Sequence, residues 1–224
     1  MRKEPIVLLI LCVICLVVSR IGAYAPGTWV LEVFPIFLAI PILVATARRF
    51  PLTPLAYRLI FVHALILMVG GHYTYARVPL GAWLQEPLHL TRNNYDRLGH
   101  FAQGFVPAIV AREILIRRSP LRPGKWLFFL VTCVSLSVSA SYELIEWAVA
   151  LVGHANAEAF LGTQGDVWDT QWDMFFALIG ALVAQSLLWY PHDRSIAKLL
   201  SYLTTRRRRA RAAAAAAAPQ LDVD

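Results

Sequence analysis

Three carboxylates at helical spacing stand just before a long apolar run near the end of the sequence. Asp166, Asp169 and Asp173 are three and four residues apart, which places them on one face of a helix. The adjoining run 175–190 is almost wholly apolar. Acids at the mouth of an apolar segment are costly to keep there without protons, partners or a cation. The pattern therefore predicts a polar site.

Two other segments carry polar residues at the same kind of spacing. Each has three of them, separated by three or four residues, and so on one helix face. The two sets are Asp96, His100 and Gln103, and Ser139, Glu143 and Glu146. Whether these faces meet the three aspartates depends on the helices that carry them.

The composition indicates a membrane protein. The 224 residues are 58% hydrophobic and only 16% charged. The apolar residues fall in blocks of about 20, the length that crosses a bilayer. The net charge of +7 does not indicate nucleic-acid binding, because the basic residues stand at the ends of these blocks. There they set topology and contact anionic lipid. We therefore predict an all-α, polytopic membrane protein.

Six segments are predicted to span the membrane, within a single integral domain of residues 1–195. They are 5–24, 29–47, 55–73, 98–116, 126–149 and 168–190. Pro35 and Pro41 predict kinks in the second span. The sequence 23–25 resembles a signal-peptidase site, but Arg20 between it and the apolar core favours an uncleaved first span.

The basic residues also predict the orientation. If both termini are cytoplasmic, sixteen of the 21 lysines and arginines lie on the cytoplasmic side and four lie outside. The fourth and sixth spans then enter from outside, and the fifth leaves toward it. All three polar faces thus lie at the outer end of the bundle, at one depth.

The C-terminal segment 196–224 has a different composition. It contains the arginines 206–209 and the seven alanines 212–218. We predict a flexible cytoplasmic tail that contacts anionic lipid, with no packed domain.

Six carboxylates are predicted to share the outer site. They are Asp96, Glu143, Glu146, Asp166, Asp169 and Asp173. Packing and burial make six ionised acids costly, so the cluster needs metal, protons, a basic ligand, or pairing with Arg97 and His100. An oxygen-rich set with one histidine suits Mg²⁺, Mn²⁺ or Ca²⁺, or a carboxylate-bridged iron or manganese pair.

The members of this cluster receive different predicted roles. Five acids are expected to be metal ligands: Glu143, Glu146, Asp166, Asp169 and Asp173. His100 is expected to be a ligand or general base, with Asp96 as a second catalytic group. Four supporting residues are Arg97, Gln103, Ser139 and His72, the last near the outer end of the third span.

Structural roles for the same residues remain open. Asp96 is placed where it would cap the fourth helix, and Asp166 and Asp169 lie where the helix dipole favours acids. The two glutamates of the fifth span would hold helices together by pairing with Arg97 and His100. At the opposite end of the fourth span, Glu113 is expected to be structural because Arg117 is its i+4 partner.

The sequence resembles the YjdF-type family of bacterial inner-membrane proteins over residues 5–195. The resemblance rests on the segments Tyr95-Asp96-Arg97-Leu98-Gly99-His100-Phe101, Glu143-Leu144-Ile145-Glu146-Trp147 and 162–174. It implies a location in the bacterial inner membrane and no particular reaction. The same order of segments is more distantly similar to VanZ-like membrane proteins, which are associated with glycopeptide resistance at the cell envelope.

Three functions fit this pattern. The first is a cation-binding site that acts on an envelope lipid or lipid-linked substrate, as a metal-assisted membrane enzyme. The second is an ion- or proton-coupled transporter. The third is a non-catalytic envelope or scaffold protein whose polar cluster holds three helices together.

Overall fold

The computed structural model describes residues 3–153 and 163–216, and these residues form helices and connecting loops without a strand. This part of the chain has eight α-helices in order: α1 Lys3–Arg20, α2 Pro26–Glu32, α3 Phe34–Thr46, α4 Pro54–Tyr73, α5 Pro79–Gln85, α6 Tyr95–Arg118, α7 Lys125–Gly153 and α8 Asp169–Ala216. A 3₁₀ turn, Tyr75–Arg77, lies between α4 and α5. The predicted all-α class is confirmed.

Three of the described helices are long and apolar enough to cross a membrane, namely α4, α7 and α8. The bent pair of α2 and α3 makes a fourth if it is counted as one span. The remaining long helices, α1 and α6, are not among them, and each carries charged residues near both ends. In α6 most of these charges belong to two buried polar clusters, one at each end of the helix. Six spans and their orientation therefore go beyond what helix length and composition establish.

The second predicted span is broken. The axes of α2 and α3 differ by 42°, and the break lies at Val33, two residues before Pro35. Proline lacks the amide hydrogen that would continue the helix and its ring clashes with the preceding turn. The kink predicted from Pro35 is thus present, and it turns Glu32 at the end of α2 into the protein.

Helices α6 and α8 approach each other so closely that their crossing requires glycine. A Cβ atom at Gly104 would lie 1.8 Å from the carbonyl oxygen of Ala177, and one at Gly180 would lie 2.1 Å from that of Phe101. Small residues let helix backbones come together in this way in membrane proteins. The crossing fixes the N-terminal half of α6 beside that of α8, which is where the predicted polar faces lie.

The last helix does not end at Tyr190, where the sixth span was predicted to end. Helix α8 continues through Pro191 to Ala216, so the predicted tail is helical as far as the structure describes it. Arginine and alanine are strong helix formers, which explains the extension. Ile196 and Leu199 are buried, whereas the arginines beyond them are exposed. Residues 217–224 of the predicted tail lie outside the described residues.

Candidate functional site

Arg97 is the centre of the polar cluster at the N-terminal ends of α6 and α8. Its guanidinium donates to Asp169 Oδ1 at 2.8 Å, to Asp166 Oδ2 at 3.1 Å, and to Asp173 Oδ1. The three aspartates at helical spacing thus surround a single buried arginine. Arg97 was predicted as a supporting residue, and the structure gives it a pairing role with all three.

Arg92 is a second cation of the cluster that the sequence pattern did not assign to it. Its Nη1 lies 2.5 Å from Asp169 Oδ1 and 3.6 Å from Asp166 Oδ2, and it donates to the Thr163 carbonyl at 3.0 Å. Its Nη2 lies 3.7 Å from Asp96 Oδ2. The i,i+4 spacing of Arg92 and Asp96 was the available signal, but Arg92 precedes the predicted fourth span and was counted only toward orientation.

The loop before α8 is held against the start of α6 by amide hydrogen bonds. Gln164 Oε1 accepts from the Asn93 amide at 3.1 Å, and Gln164 Nε2 donates to the Asn93 carbonyl at 2.9 Å. The Asn93 side chain in turn donates to the Val78 carbonyl at 2.9 Å and accepts from the Tyr95 amide at 3.0 Å. These hydrogen bonds hold the loop before α8 against the start of α6, and so they fix the position of Asp166 relative to Arg97.

His100 lies one turn deeper, between carboxylates from all three helices. Its Nε2 is 3.5 Å from Asp96 Oδ1 and 3.7 Å from Asp173 Oδ1, and its Nδ1 is 3.6 Å from Glu143 Oε1. All four residues are buried. Asp96, His100 and Asp173 each offer one ligand atom, and these atoms lie within 4.8 Å of one another. Asp96 does not cap α6, since Asn94 occupies that position.

Helix α7 brings polar atoms that have no hydrogen-bond partner in the described part of the chain. They are Ser139 Oγ and Glu143 Oε1, and they are joined from α6 by Gln103 Oε1 and His100 Nδ1. Ser139 is completely buried and Glu143 is 7% exposed. Buried polar groups are normally satisfied, so several unsatisfied ones around one histidine indicate room for a ligand or ion.

The two glutamates of α7 do not have the same surroundings. Glu143 faces His100, with its Oε1 3.6 Å from Nδ1. Glu146 is only partly buried and has neither a hydrogen bond nor an ion pair with a described residue. It instead faces a cavity, together with Asp96 and His100. The predicted pairing of both glutamates with Arg97 and His100 is therefore present only as the Glu143–His100 contact.

His72, predicted as a supporting residue, lies elsewhere. Its Nδ1 is 2.9 Å from the Ser19 carbonyl, and its ring stacks edge-on against Tyr73. It therefore fastens the end of α4 to the end of α1 and does not join the cluster. His63, nine residues earlier on α4, was not singled out and lines the cavity, where its Nε2 has no partner among the described residues.

A cavity of about 990 Å³ extends from the cluster between α1, α3, α4, α6 and α7. Its walls are apolar over most of their length. Most of its polar residues lie toward one end: Glu32, His63, Tyr75, Asp96, His100, Gln103, Tyr142 and Glu146. Burial, reinforced by nearby Glu32, raises the pKa of Tyr75 well above its usual range, so its phenol stays neutral. A ligand in this cavity would place an apolar part along the helices and a polar part at the carboxylates.

A second buried polar network lies at the opposite end of α6. Glu113, with no exposed surface, accepts from the Thr53 amide at 3.0 Å and from the Thr53 hydroxyl at 2.7 Å. Arg117 pairs with its Oε1, and His192 Nε2 lies 3.2 Å from its Oε2. The structural pairing of Glu113 with Arg117 predicted from their spacing is confirmed. The network also ties α4, α6 and α8 together, which the sequence spacing did not show.

The tautomer of His192 is determined by its second neighbour. Arg112 Nη1 lies 3.2 Å from His192 Nδ1, and arginine can only donate. Nδ1 must therefore accept, which leaves Nε2–H to donate to Glu113. Arg112 also pairs with Asp193 at 2.7 Å, so each charge in this network has a partner.

Comparison with known proteins places the chain in a family. Residues 4–194 match the family described as "Predicted membrane protein (DUF2238)". The inner membrane protein YjdF of Escherichia coli (strain K12) is 56% identical over 183 residues, which cover 82% of this chain and 88% of that relative. The chain belongs to this family. No solved structure matches it with significance.

Membership of the DUF2238 family confirms two of the predictions. The resemblance to YjdF-type proteins is correct, and the protein is a multi-pass protein of the inner membrane, where its several apolar helices lie in the lipid bilayer. The family carries no assigned reaction, so any function proposed for the chain depends on the arrangement of its buried cluster. The more distant similarity to VanZ-like proteins stays a prediction.

Proposed function

We propose that the polar cluster is a cation-binding site whose ligands are Asp96, His100 and Asp173. One observation carries the proposal: His100 Nε2 lies 3.5 Å and 3.7 Å from one oxygen of each aspartate. Two ligand atoms bound at about 2.1 Å with a tetrahedral angle are about 3.4 Å apart, so these separations suit a shared ion. This ligand set shares only Asp173 with the predicted one, which also contained Glu143, Glu146, Asp166 and Asp169.

The two acids nearest the surface are less suited to a metal than the sequence pattern predicted. Asp166 and Asp169 receive hydrogen bonds from Arg97, and Asp169 also from Arg92. Neither of them belongs to the group whose ligand atoms lie within 4.8 Å of one another, whereas Asp173 does and would share its Oδ1 between Arg97 and the ion. We therefore assign Asp166 and Asp169 to holding the arginines, with Glu143 beside the ion as a further oxygen donor.

The proposed ligand chemistry narrows the choice of ion. Two carboxylates with one imidazole form a mixed oxygen and nitrogen set. Mg²⁺ and Ca²⁺ favour oxygen alone, whereas manganese and iron accept both donor types. Among the ions predicted from the sequence, Mn²⁺ or iron thus fits best.

The position of the cluster supports an action on a lipid or lipid-linked molecule of the cell envelope. Asp96 and His100 belong both to the proposed ligand set and to the polar end of the apolar cavity. A cation held there would polarise an oxygen of a head group that reaches this end. The distribution of basic residues supports six spans with both termini in the cytoplasm, which would turn the cluster outward.

A structural role is the second candidate for this cluster. It is favoured by the two arginines, which pair with Asp96, Asp166, Asp169 and Asp173 without any metal. The two proposals differ in what His100 does. As a metal ligand it is required for binding, whereas as a pairing group it only contributes to stability.

Metal content measures this difference. We expect the full-length protein, purified in detergent after growth with manganese and iron, to hold about one metal ion per chain. The His100→Gln variant should lose this ion, because glutamine offers no imidazole nitrogen. Asp193→Asn is the matched control, since Asp193 pairs with Arg112 at the other end of α6.

The proposal fails if elemental analysis finds no stoichiometric metal in the folded wild-type protein. It also fails if His100→Gln retains as much metal as the Asp193→Asn control. In either case the structural role of the cluster is the one that stands.

A further inference from the structure

Two carboxylates at the polar end of the cavity have no partner among the described residues. Glu32 is 5% exposed and closes the end of α2, and Glu146 approaches from α7. Neither has a hydrogen bond or an ion pair within residues 3–153 and 163–216, although both line the cavity. Isolated buried acids are costly, so their position calls for a ligand that satisfies them.

The remaining groups at this end do not supply the missing charge. Tyr75 and Tyr142 contribute phenol groups, and His63 contributes an imidazole. His100 also lines this end, but it already lies between Asp96, Asp173 and Glu143. Among the described residues that line the cavity the only arginine is Arg48, which lies at the far end of α3. Arg92 and Arg97 are not part of the lining and already pair with aspartates. The polar end therefore presents carboxylates to whatever enters.

Helix α3 lines the cavity along most of its length. The residues of α3 that line it run from Phe34 to Val44, a rise of about 15 Å along the helix. This is half of the roughly 30 Å hydrocarbon thickness of a bilayer, and so the depth of one leaflet. The cavity thus has the length of an acyl chain in one leaflet.

The walls of the cavity are accessible from outside the protein. Phe34 and Leu38 on α3 are 47% and 53% exposed, and Val138 on α7 is 41% exposed, although all three line the cavity. In the described residues α3 packs against α2 and has no extensive contact with α6 or α7. A molecule dissolved in the membrane can therefore enter sideways between α3 and α7.

We propose that the cavity binds a membrane-embedded amphiphile with one long acyl or alkyl chain and a cationic amino head group. The ammonium group would lie between Glu32 and Glu146, within reach of the phenol oxygens of Tyr75 and Tyr142. The chain would extend along α3. This inference rests on the proposed function and names the class of substrate that its site would take.

Charge complementarity distinguishes this ligand from other lipids. A phosphate head would meet Glu32, Asp96 and Glu146, with no arginine or lysine in the described lining of this end to receive it. A neutral alcohol would offer the two glutamates a hydrogen bond but no positive charge. An amine donates up to three hydrogen bonds and carries the opposite charge.

Native mass spectrometry of the full-length protein in phosphatidylcholine nanodiscs tests the inference. The probe is hexadecylamine, and hexadecanol is the matched neutral amphiphile of the same chain length. EDTA is present throughout, so that no metal contributes to binding. We expect saturable binding of about one amine per chain, at least about tenfold tighter than that of the alcohol.

Substitutions locate the binding. Glu32→Gln and Glu146→Gln should each weaken hexadecylamine binding about tenfold or more while leaving the weak binding of hexadecanol unchanged. Ser141→Phe, which fills the cavity from α7, should weaken both probes. Ala148→Phe is the control on the same helix, because Ala148 is exposed and lies outside the lining.

Equal affinity of the wild-type protein for the two probes would overturn the inference, as would undiminished amine binding in both glutamine variants. These outcomes are independent of the metal measurement, which uses protein without amphiphile. If the amine binds selectively but elemental analysis of the purified protein finds no metal, only the proposed cation site is contradicted. If metal is found but the amine does not bind selectively, only the proposed amphiphile is contradicted.

Discussion

The two ends of α6 both bury arginines, a histidine and carboxylates, and they differ in how completely these groups are paired. Around Glu113, each carboxylate oxygen, guanidinium and ring nitrogen has a partner on α4, α6 or α8. Around His100, one ring nitrogen and one oxygen of Glu143 face each other at 3.6 Å without a hydrogen bond, and Ser139 Oγ and Gln103 Oε1 have no hydrogen-bond partner in the described part of the chain. We call the group around Glu113 the closed network, because its polar atoms are paired, and the group around His100 the open cluster, because it lines a cavity.

This difference separates a structural network from a binding site of similar composition. A fully paired network can do little except hold helices together, because a ligand would have to displace existing bonds. A cluster with surplus carboxylates and unsatisfied atoms is costly in the empty state and gains from a ligand. Residue types alone do not distinguish the two, whereas the pairing of each polar atom does.

Removal of a charge from the closed network should have the largest effect on stability. The variant Glu113→Gln removes a buried carboxylate that accepts hydrogen bonds from Arg117 and from Thr53. We expect a loss of about 3–5 kcal/mol in the free energy of unfolding, as for other broken buried pairs. Urea or thermal unfolding in detergent measures it, and a change below about 1 kcal/mol would refute the structural role.

The helix crossing between the two groups should be the next most sensitive. Gly104→Ala places a methyl group against the Ala177 backbone, which cannot move aside without shifting α8. We expect a loss of about 1–3 kcal/mol, together with weaker metal binding, because both groups depend on this crossing. Gly27→Ala is the control, since a Cβ atom there meets nothing within 4 Å. Equal unfolding midpoints for the two variants would contradict the close approach.

Removal of a charge from the open cluster should have the smallest effect on stability. Glu146→Gln takes away a carboxylate with no described partner, so the free energy of unfolding should stay within about 1 kcal/mol of wild type or rise. Metal content should also be unchanged, because Glu146 is not a proposed ligand. A loss comparable to that of Glu113→Gln would mean that the open cluster is structural as well.

The sequence predicted the helical membrane class and the meeting of three polar faces because both depend on local periodicity. Helical spacing put His100 beside Asp96, and topology brought Glu143 and Asp173 to the same depth. The role of Arg92 was missed since it precedes the apolar segment. The pairing of Asp166 and Asp169 with arginines depends on loop hydrogen bonds through Gln164, which no periodic pattern reveals.

The cavity, and the positions of Glu32 and His63 at it, could not be predicted for a related reason. Glu32 reaches the site because α2 and α3 meet at a 42° break, and His63 faces the cavity because α3 stands away from α6 and α7. Both are properties of tertiary packing. The extension of α8 beyond Tyr190 was missed because the apolar run ends there, whereas the helix continues through Pro191 and His192 is held by Arg112 and Glu113.

The most direct test of the contrast is to measure bound metal and unfolding in parallel for Asp96→Asn and Glu113→Gln. We predict that Asp96→Asn loses the metal and loses less stability than Glu113→Gln, because the contacts of Asp96 with His100 and Arg92 are as long as 3.5 Å and 3.7 Å. Glu113→Gln should keep the metal in its folded fraction and lose about 3–5 kcal/mol. If Asp96→Asn binds as much metal as the wild-type protein, the open cluster is not the cation site proposed.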